Sequence, residues 1–379
     1  MVGPFEFATA TRIAFGPGKI QSLASLTQSL GTCALVVTGA NSARAARVLA
    51  GIPANYFSVP NEPTLALVRE VVKAARGCDY LIGFGGGSAM DAAKAIAALT
   101  PNSGEPLDYL EVIGRGLPLE HAPLPFVMVP TTAGTGAEVT RNAVLGSPEH
   151  GLKASLRSPL LVARLALIDP DLTLEAPPAV TASTGLDTLT QLIEPFVSVR
   201  ANPFTDLFCL EGLRLVPSAL PKVFHDGADG RARAEMAFAS LLSGLSLANA
   251  GLGIAHGFAG PLGGLLNAPH GALCAAVLPH AIQINIRALR ERLPNGEALI
   301  KYKKVAQLLT GDPRAEAEDA VSYISNFCRV LGISSLRSHG LEPSAIPDLV
   351  IKVARASSTK ANPIQLSDRE LAEIADRAL

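Results

Sequence analysis

The passage from Asp79 to Leu99 constrains this chain more than any other. An apolar run, Asp79-Tyr80-Leu81-Ile82-Gly83-Phe84, leads straight into Gly85, Gly86 and Gly87 and then into the alanine-rich segment 89–99. A buried strand that turns through bare glycines into a helix lets backbone N–H groups approach an anion, and the helix N-terminus adds the positive end of its dipole. Ser88 is the expected N-cap, with Asp91 reaching back three residues later. Ligands of open α/β sheets bind at such strand ends. The spacing is not G-x-G-x-x-G, because counting from Gly83 puts Ser88 at the third glycine position.

The rest of the first half repeats that rhythm. Strands are expected at 33–38, 55–59, 79–84 and 125–129, with helices through Ala50, over 65–76 and over 89–99 between them. This alternation calls for a mostly parallel sheet covered on both faces. Phe5, Phe7, Thr9, Thr11, Ile13 and Phe15 fall on every second position and predict an edge strand or hairpin. After Pro177-Pro178 the pattern turns helical, over about 180–198, 203–223, 231–249, 273–292, 298–309, 314–331 and 343–357. A chain of 379 residues outgrows a single core, so two domains are expected, 1–177 and 178–379.

Net charge is −1 and Trp is absent, so neither a nucleic acid nor an anionic membrane surface is an expected partner. Five separated cysteines without a C-x-x-C pair imply no disulfide framework and no thiolate zinc site. With no basic region followed by an apolar run at the start, a reducing cytoplasm is the expected location. From Met236 to Ile286 there is no Asp, Glu, Lys or Arg. The stretch contains three histidines and many glycines and lacks aromatic anchors, so closely packed buried helices explain it better than a membrane span.

Two further groups carry chemistry. In PTTAGTGAEVT (130–140), Thr131, Thr132 and Thr135 offer hydroxyls beside Gly134 and Gly136, which suits a second phosphate or amide contact. Lys153 follows downstream. In the helical half, Asp187, Gln191 and Glu194 share one helix face, and His256 and His270 lie fourteen residues apart in the charge-free stretch. A divalent metal held by Asp187, Gln191, His256 and His270 would satisfy these buried donors; histidines satisfied within the core are the plainer alternative.

GGGSAMDAAKAIA, PTTAGTGAEVT, IDPDLT (168–173), GLDTLTQLIEP and HGFAGPLGGLLNAPHG occur in the order found in iron-containing (group III) alcohol dehydrogenases, and the chain resembles that family over its whole length. The resemblance implies an α/β domain with a parallel, Rossmann-like dinucleotide-binding sheet, an all-α domain that binds metal and substrate, and a cleft between them. It also implies NAD(P)-dependent interconversion of an alcohol and an aldehyde or ketone by hydride transfer, with Fe2+ or Zn2+ as Lewis acid. By position, Gly86, Gly87 and Ser88, with Asp91 behind them, correspond to the pyrophosphate loop. Thr131, Thr132, Thr135 and Lys153 correspond to phosphate, ribose and nicotinamide contacts, and Leu172 approaches the cofactor. Asp187, His256 and His270 correspond to three of the family's four metal-ligand positions, which implies that they act in catalysis through the metal. A homodimer paired through the first strand is expected from some relatives.

Three departures stand out. The fourth ligand position, His in the family, is Gln191, a poorer donor. A further family histidine is Gly260. The acidic residue that binds the adenosine 2′-hydroxyl in NAD-preferring relatives is Gly39, with Asn41, Ser42 and Arg44 nearby, which admits NADP(H). Two alternatives remain open from sequence. One is a maleylacetate-reductase-like enzyme acting on a carbonyl acid without metal, and the other a nucleotide-binding protein that has lost catalysis.

Overall fold

The computed structural model describes residues 3–266 and 268–379; Met1, Val2 and Asn267 of the charge-free stretch lie outside them. The chain forms two compact units. One consists of Thr9–Thr132 and Gly136–Ala176; the other takes the chain up to Ala8, Ala133–Thr135 and everything from Pro177.

The first unit is built on six parallel strands. In chain order its elements are β1 (Ile13–Phe15), α1 (Leu23–Thr27), β2 (Ala34–Thr38), α2 (Ser42–Val48), β3 (Ala54–Ser58), α3 (Leu65–Ala75), β4 (Tyr80–Gly85), α4 (Gly87–Leu99), β5 (Phe126–Pro130), β6 (Asn142–Ser147), β7 (Leu152–Arg157) and β8 (Leu165–Ile168). The sheet runs β1-β8-β5-β4-β2-β3, and β6 and β7 form a separate antiparallel pair. Every residue of β2, β4 and β5 is buried, as expected where helices cover both faces. From β2 the chain steps outward to β3 and then returns to β4 on the other side of β2. The order therefore reverses between β2 and β4, which opens the kind of crevice in which doubly wound sheets bind ligands.

The expected strand over 5–15 shrinks to Ile13–Phe15 at the sheet edge. The earlier residues belong with the helices. Phe5 and Phe7 pack edge-on against Phe204 at 5.1 and 5.7 Å, and Phe7 also meets Phe208. The backbone of Ala8 is satisfied by one side chain, donating to Asn249 Oδ1 at 2.8 Å and accepting from Asn249 Nδ2 at 3.0 Å. The period-two pattern here reflects ring packing and a side-chain amide standing in for a neighbouring strand.

In the second unit the helices are α5 (Pro178–Val197), α6 (Pro203–His225), α7 (Gly230–Ala250), α8 (Ile254–Leu265), α9 (His270–Arg292), α10 (Glu297–Thr310), α11 (Ala317–Val330), α12 (Ile346–Arg355) and α13 (Asp368–Ala378). No strand occurs there among the described residues. α5 is buried all round from Leu186 to Val197 and serves as the central post. α9 is long and apolar enough to cross a membrane, but 83 % of its most apolar window is buried within the protein, as befits a core helix.

Candidate metal centre and nucleotide cradle

Asp187, Gln191 and Glu194 follow one another at helical spacing on α5, and all three are buried, at 2 %, 3 % and 6 % exposure. A helix face carrying two carboxyls and an amide cannot be left dry without partners. α8 and α9 supply them. His256 stands in the first turn of α8 and His270 opens α9. Gly271 makes this approach possible, since a Cβ there would lie 2.1 Å from the Ser183 carbonyl oxygen of α5.

Glu194 grips the second helix through both oxygens. Oε1 accepts from the Ala255 N–H at 2.7 Å, and Oε2 faces His256 Nδ1 at 2.6 Å. With Nδ1 held by Glu194, His256 Nε2 is a lone pair in the neutral imidazole and an N–H in the protonated one. That nitrogen faces Asp187 Oδ1, 3.3 Å away, and neither atom has a hydrogen-bond partner. His270 Nε2 lies 4.0 Å from the same oxygen. The other oxygen, Asp187 Oδ2, accepts from Gln191 Nε2 at 3.0 Å, while Gln191 Oε1 accepts from Ser243 Oγ at 3.0 Å.

The electrostatics call for positive charge. Burial by itself would raise the Asp187 carboxyl, but His256 and His270 outweigh it and hold it below the usual range. Burial would lower the His256 imidazole, yet Cys274, Glu194 and Asp187 together raise it well above its ordinary value. His270 is raised in the same direction, against burial, by Cys274 and Asp187. One atom each of Asp187, His256, His270 and Cys274 lies within 4.8 Å of the others, a spacing that a metal ion can bridge. Its exposed side is at His270, whose side chain is 36 % accessible against 4 % for His256.

Cys274 and the bracing role of Glu194 were not expected from sequence as parts of a site. Cys274 stands four residues after His270 on the same helix face, a relation hidden when the helix is begun at 273. Replacing Glu194 with Gln should lower metal affinity by about 10–100-fold. Competition with a chromophoric chelator reads this directly, and nucleotide affinity should stay unchanged.

At the β2–β4 crevice, α4 begins at Gly87 with Gly86 as its N-cap. No side chain caps it. This corrects the expected capping by Ser88: Ser88 lies inside the first turn, and Asp91 pairs with Lys94 at 3.0 Å instead of reaching back. Uncapped first-turn N–H groups are what an anion requires. Gly86, Gly87 and Ser88 are partly exposed between buried neighbours. A Cβ at Gly85 would lie 2.8 Å from the Ala89 Cβ and 3.2 Å from the Gly39 nitrogen, so only glycine lets the ends of β2 and β4 come so close. Thr131 donates its N–H to the Gly85 carbonyl at 2.9 Å, and a Cβ at Gly86 would lie 3.4 Å from Thr132 Oγ1. Gly39, Gly86, Gly87, Ser88, Thr131 and Thr132 are thus gathered at three adjacent strand ends.

Other expected cofactor residues are otherwise engaged. Asn41 caps α2, accepting from the Arg44 N–H at 3.0 Å. Lys153 is ion-paired with Glu62. Leu172 is buried in the sheet core, and its carbonyl accepts from Arg44 Nη2 at 2.7 Å. Thr135 is grouped with the helical unit, beside Gly134, whose carbonyl accepts from Thr188 Oγ1 at 3.2 Å. At Gly260 an added Cβ would meet nothing within 4 Å, so the position has room for the side chain it lacks.

Residues 10–170 match the family model described as iron-containing alcohol dehydrogenase, and residues 181–379 match the C-terminal model of the Fe-containing alcohol dehydrogenase family. The chain belongs to the iron-containing alcohol dehydrogenase family. Alcohol dehydrogenase 4 of Saccharomyces cerevisiae is 31 % identical over 326 residues, which is 85 % of this chain and 82 % of that protein. The crystal structure of a 1,3-propanediol oxidoreductase superposes with a TM-score of 0.90 at 31 % identity, covering 100 % of both chains. Sulfoacetaldehyde reductase from Bifidobacterium kashiwanohense, solved in complex with NAD+, superposes with a TM-score of 0.85 at 28 % identity over 99 % of this chain and 98 % of that one. Membership of this family makes the chain an oxidoreductase acting on alcohols.

Proposed function

We propose that this enzyme interconverts an alcohol and an aldehyde or ketone with NAD(P) as hydride carrier and a divalent cation, Fe2+ or Zn2+, at Asp187, His256 and His270. The observation that carries the metal is the facing pair Asp187 Oδ1 and His256 Nε2. Two buried atoms 3.3 Å apart, a carboxylate oxygen and an imidazole nitrogen whose ring is held from behind by Glu194, call for positive charge between them, which a proton supplies in the empty site and a divalent ion supplies when bound. A divalent ion held there supplies Lewis acidity that stabilises negative charge on the substrate oxygen.

The chain's own residues do the rest. Glu194 fixes the imidazole of His256 in the coordinating tautomer. The N-terminus of α4, with Gly86, Gly87 and Ser88, receives the pyrophosphate, and Thr131 and Thr132 flank it. A nicotinamide dinucleotide held there would supply the hydride acceptor for the alcohol carbon in the oxidising direction, with the hydroxyl proton lost to solvent. The five free cysteines accord with a cytoplasmic enzyme. The β1 edge, with Ile13 and Phe15 each 36 % exposed, is the candidate pairing surface of a homodimer, which a monomeric mass in solution would exclude.

The test is nicotinamide absorbance with NADH and NADPH against aliphatic aldehydes, hydroxyaldehydes and keto acids. Turnover of aldehydes or ketones that disappears with a chelator supports the proposal; chelator-insensitive reduction of keto acids alone contradicts it. Gly39 adds a cofactor prediction. Open space surrounds its Cβ position, so Asp fits there. Gly39→Asp should lower kcat/KM for NADPH at least about tenfold through repulsion of the 2′-phosphate, and leave NADH use equal or improved.

A further inference from the structure

The family position for a fourth ligand is occupied by Gln191, and the arrangement of that side chain argues against its oxygen as a donor. Gln191 Oε1 lies 3.0 Å from Ser243 Oγ, a hydroxyl shared with the Ser240 carbonyl at 2.8 Å, and its NH2 is the group that faces the cluster, on Asp187 Oδ2. Turning the amide over would set its oxygen 3.0 Å from a carboxylate oxygen, acceptor against acceptor.

A different atom is in place. Cys274, fully buried at 0 % exposure, sits one turn along α9 from His270, with Sγ 3.7 Å from His270 Nε2. It shares the enclosure with the unpartnered Asp187 Oδ1 and His256 Nε2, both on side chains at least nine-tenths buried. A tetrahedral ion with bonds of ~2.0–2.3 Å spaces its ligand atoms by roughly 3.3–3.6 Å. Three of the separations are 3.3, 3.7 and 4.0 Å and all four atoms lie within 4.8 Å of one another, so the side chains draw together by up to about 1 Å on binding.

We infer that Cys274 is the fourth ligand, bound as a thiolate, and that it biases this site toward zinc over ferrous iron. The inference rests on the metal centre proposed above. On binding, the Sγ–H bond breaks, sulfur donates its electron pair to the ion and the proton leaves to solvent. Asp187 and the thiolate are then the two anionic donors and the two imidazoles the neutral ones. Thiolate softness favours zinc over harder ions. Gln191 becomes a positioning residue that holds Asp187 by one oxygen and keeps the other turned inward.

The test loads chelator-stripped, full-length protein with one equivalent of zinc and records zinc K-edge absorption fine structure for the parent, Cys274→Ser and Gln191→Ala. The parent and Gln191→Ala should show one sulfur at ~2.3 Å beside nitrogen and oxygen at about 2.0–2.1 Å. Cys274→Ser should lose the sulfur, and its preference for zinc over ferrous iron in competition should fall at least tenfold. If the serine variant does not fold, the cobalt-loaded parent should still show a thiolate-to-metal charge-transfer band, and its absence would overturn the assignment. Zinc bound through nitrogen and oxygen alone in the parent would overturn Cys274 as ligand and leave the metal centre standing. A parent chain that takes up no zinc and no iron would overturn both.

Discussion

Asp187→Ala and His270→Ala should each lose the metal and cut turnover by about three orders of magnitude, with nucleotide affinity unchanged within about twofold. The size follows from the chemistry: Lewis-acid stabilisation of the reacting oxygen is worth several kcal/mol, and each ~1.4 kcal/mol is a factor of ten. The two variants should fail for different reasons. Asp187 is the central oxygen, facing both histidines and held by Gln191, so its loss leaves a buried amide and two imidazoles without their anion. His270 is the partly exposed member, so His270→Ala removes a ligand without opening a deep cavity and should fold like the parent. Metal per chain by atomic spectroscopy, nucleotide affinity by fluorescence and a melting curve separate these outcomes.

The second large effect belongs to the other unit. Gly86→Val should weaken NAD(P) binding by at least about a hundredfold, because two or more charge-assisted hydrogen bonds to pyrophosphate, each worth ~1.5–3 kcal/mol, are blocked. The fold should survive. Gly86 has an extended backbone at φ −79° and ψ −171°, and a new Cβ would meet only Thr132 at ordinary contact distance. Metal content should not change. Together with Asp187→Ala this variant shows whether nucleotide and metal are held independently.

Parts of this arrangement were plain in the sequence for definite reasons. Fully buried parallel strands are continuous apolar runs, so β2, β4 and β5 stand out, and the glycines after β4 mark the cradle. The β6–β7 hairpin was hidden because NAVLGS and LKASLR bury only Ala143, Leu145, Ser147, Ala154 and Leu156, too few apolar residues to form a run, and β8 is only four residues long. α8 was hidden by its glycines and Pro261, which disguise a helix as a loop. That concealment mattered for the site. Without α8 and the true start of α9, His256 and His270 are merely fourteen residues apart, and Cys274 is an ordinary core cysteine. That Asp187, Gln191 and Glu194 share one face of α5 was legible from spacing, while their expected role as ligands came from the family resemblance; which side chain faces which required the three-dimensional packing of α5, α8 and α9.

The most direct measurement is metal removal and return. Protein freed of metal by chelation should keep its nucleotide affinity and lose alcohol oxidation, and one equivalent of Zn2+ or Fe2+ per chain should restore it, with His256→Ala unresponsive. Undiminished alcohol oxidation by protein shown to contain no metal would contradict the account.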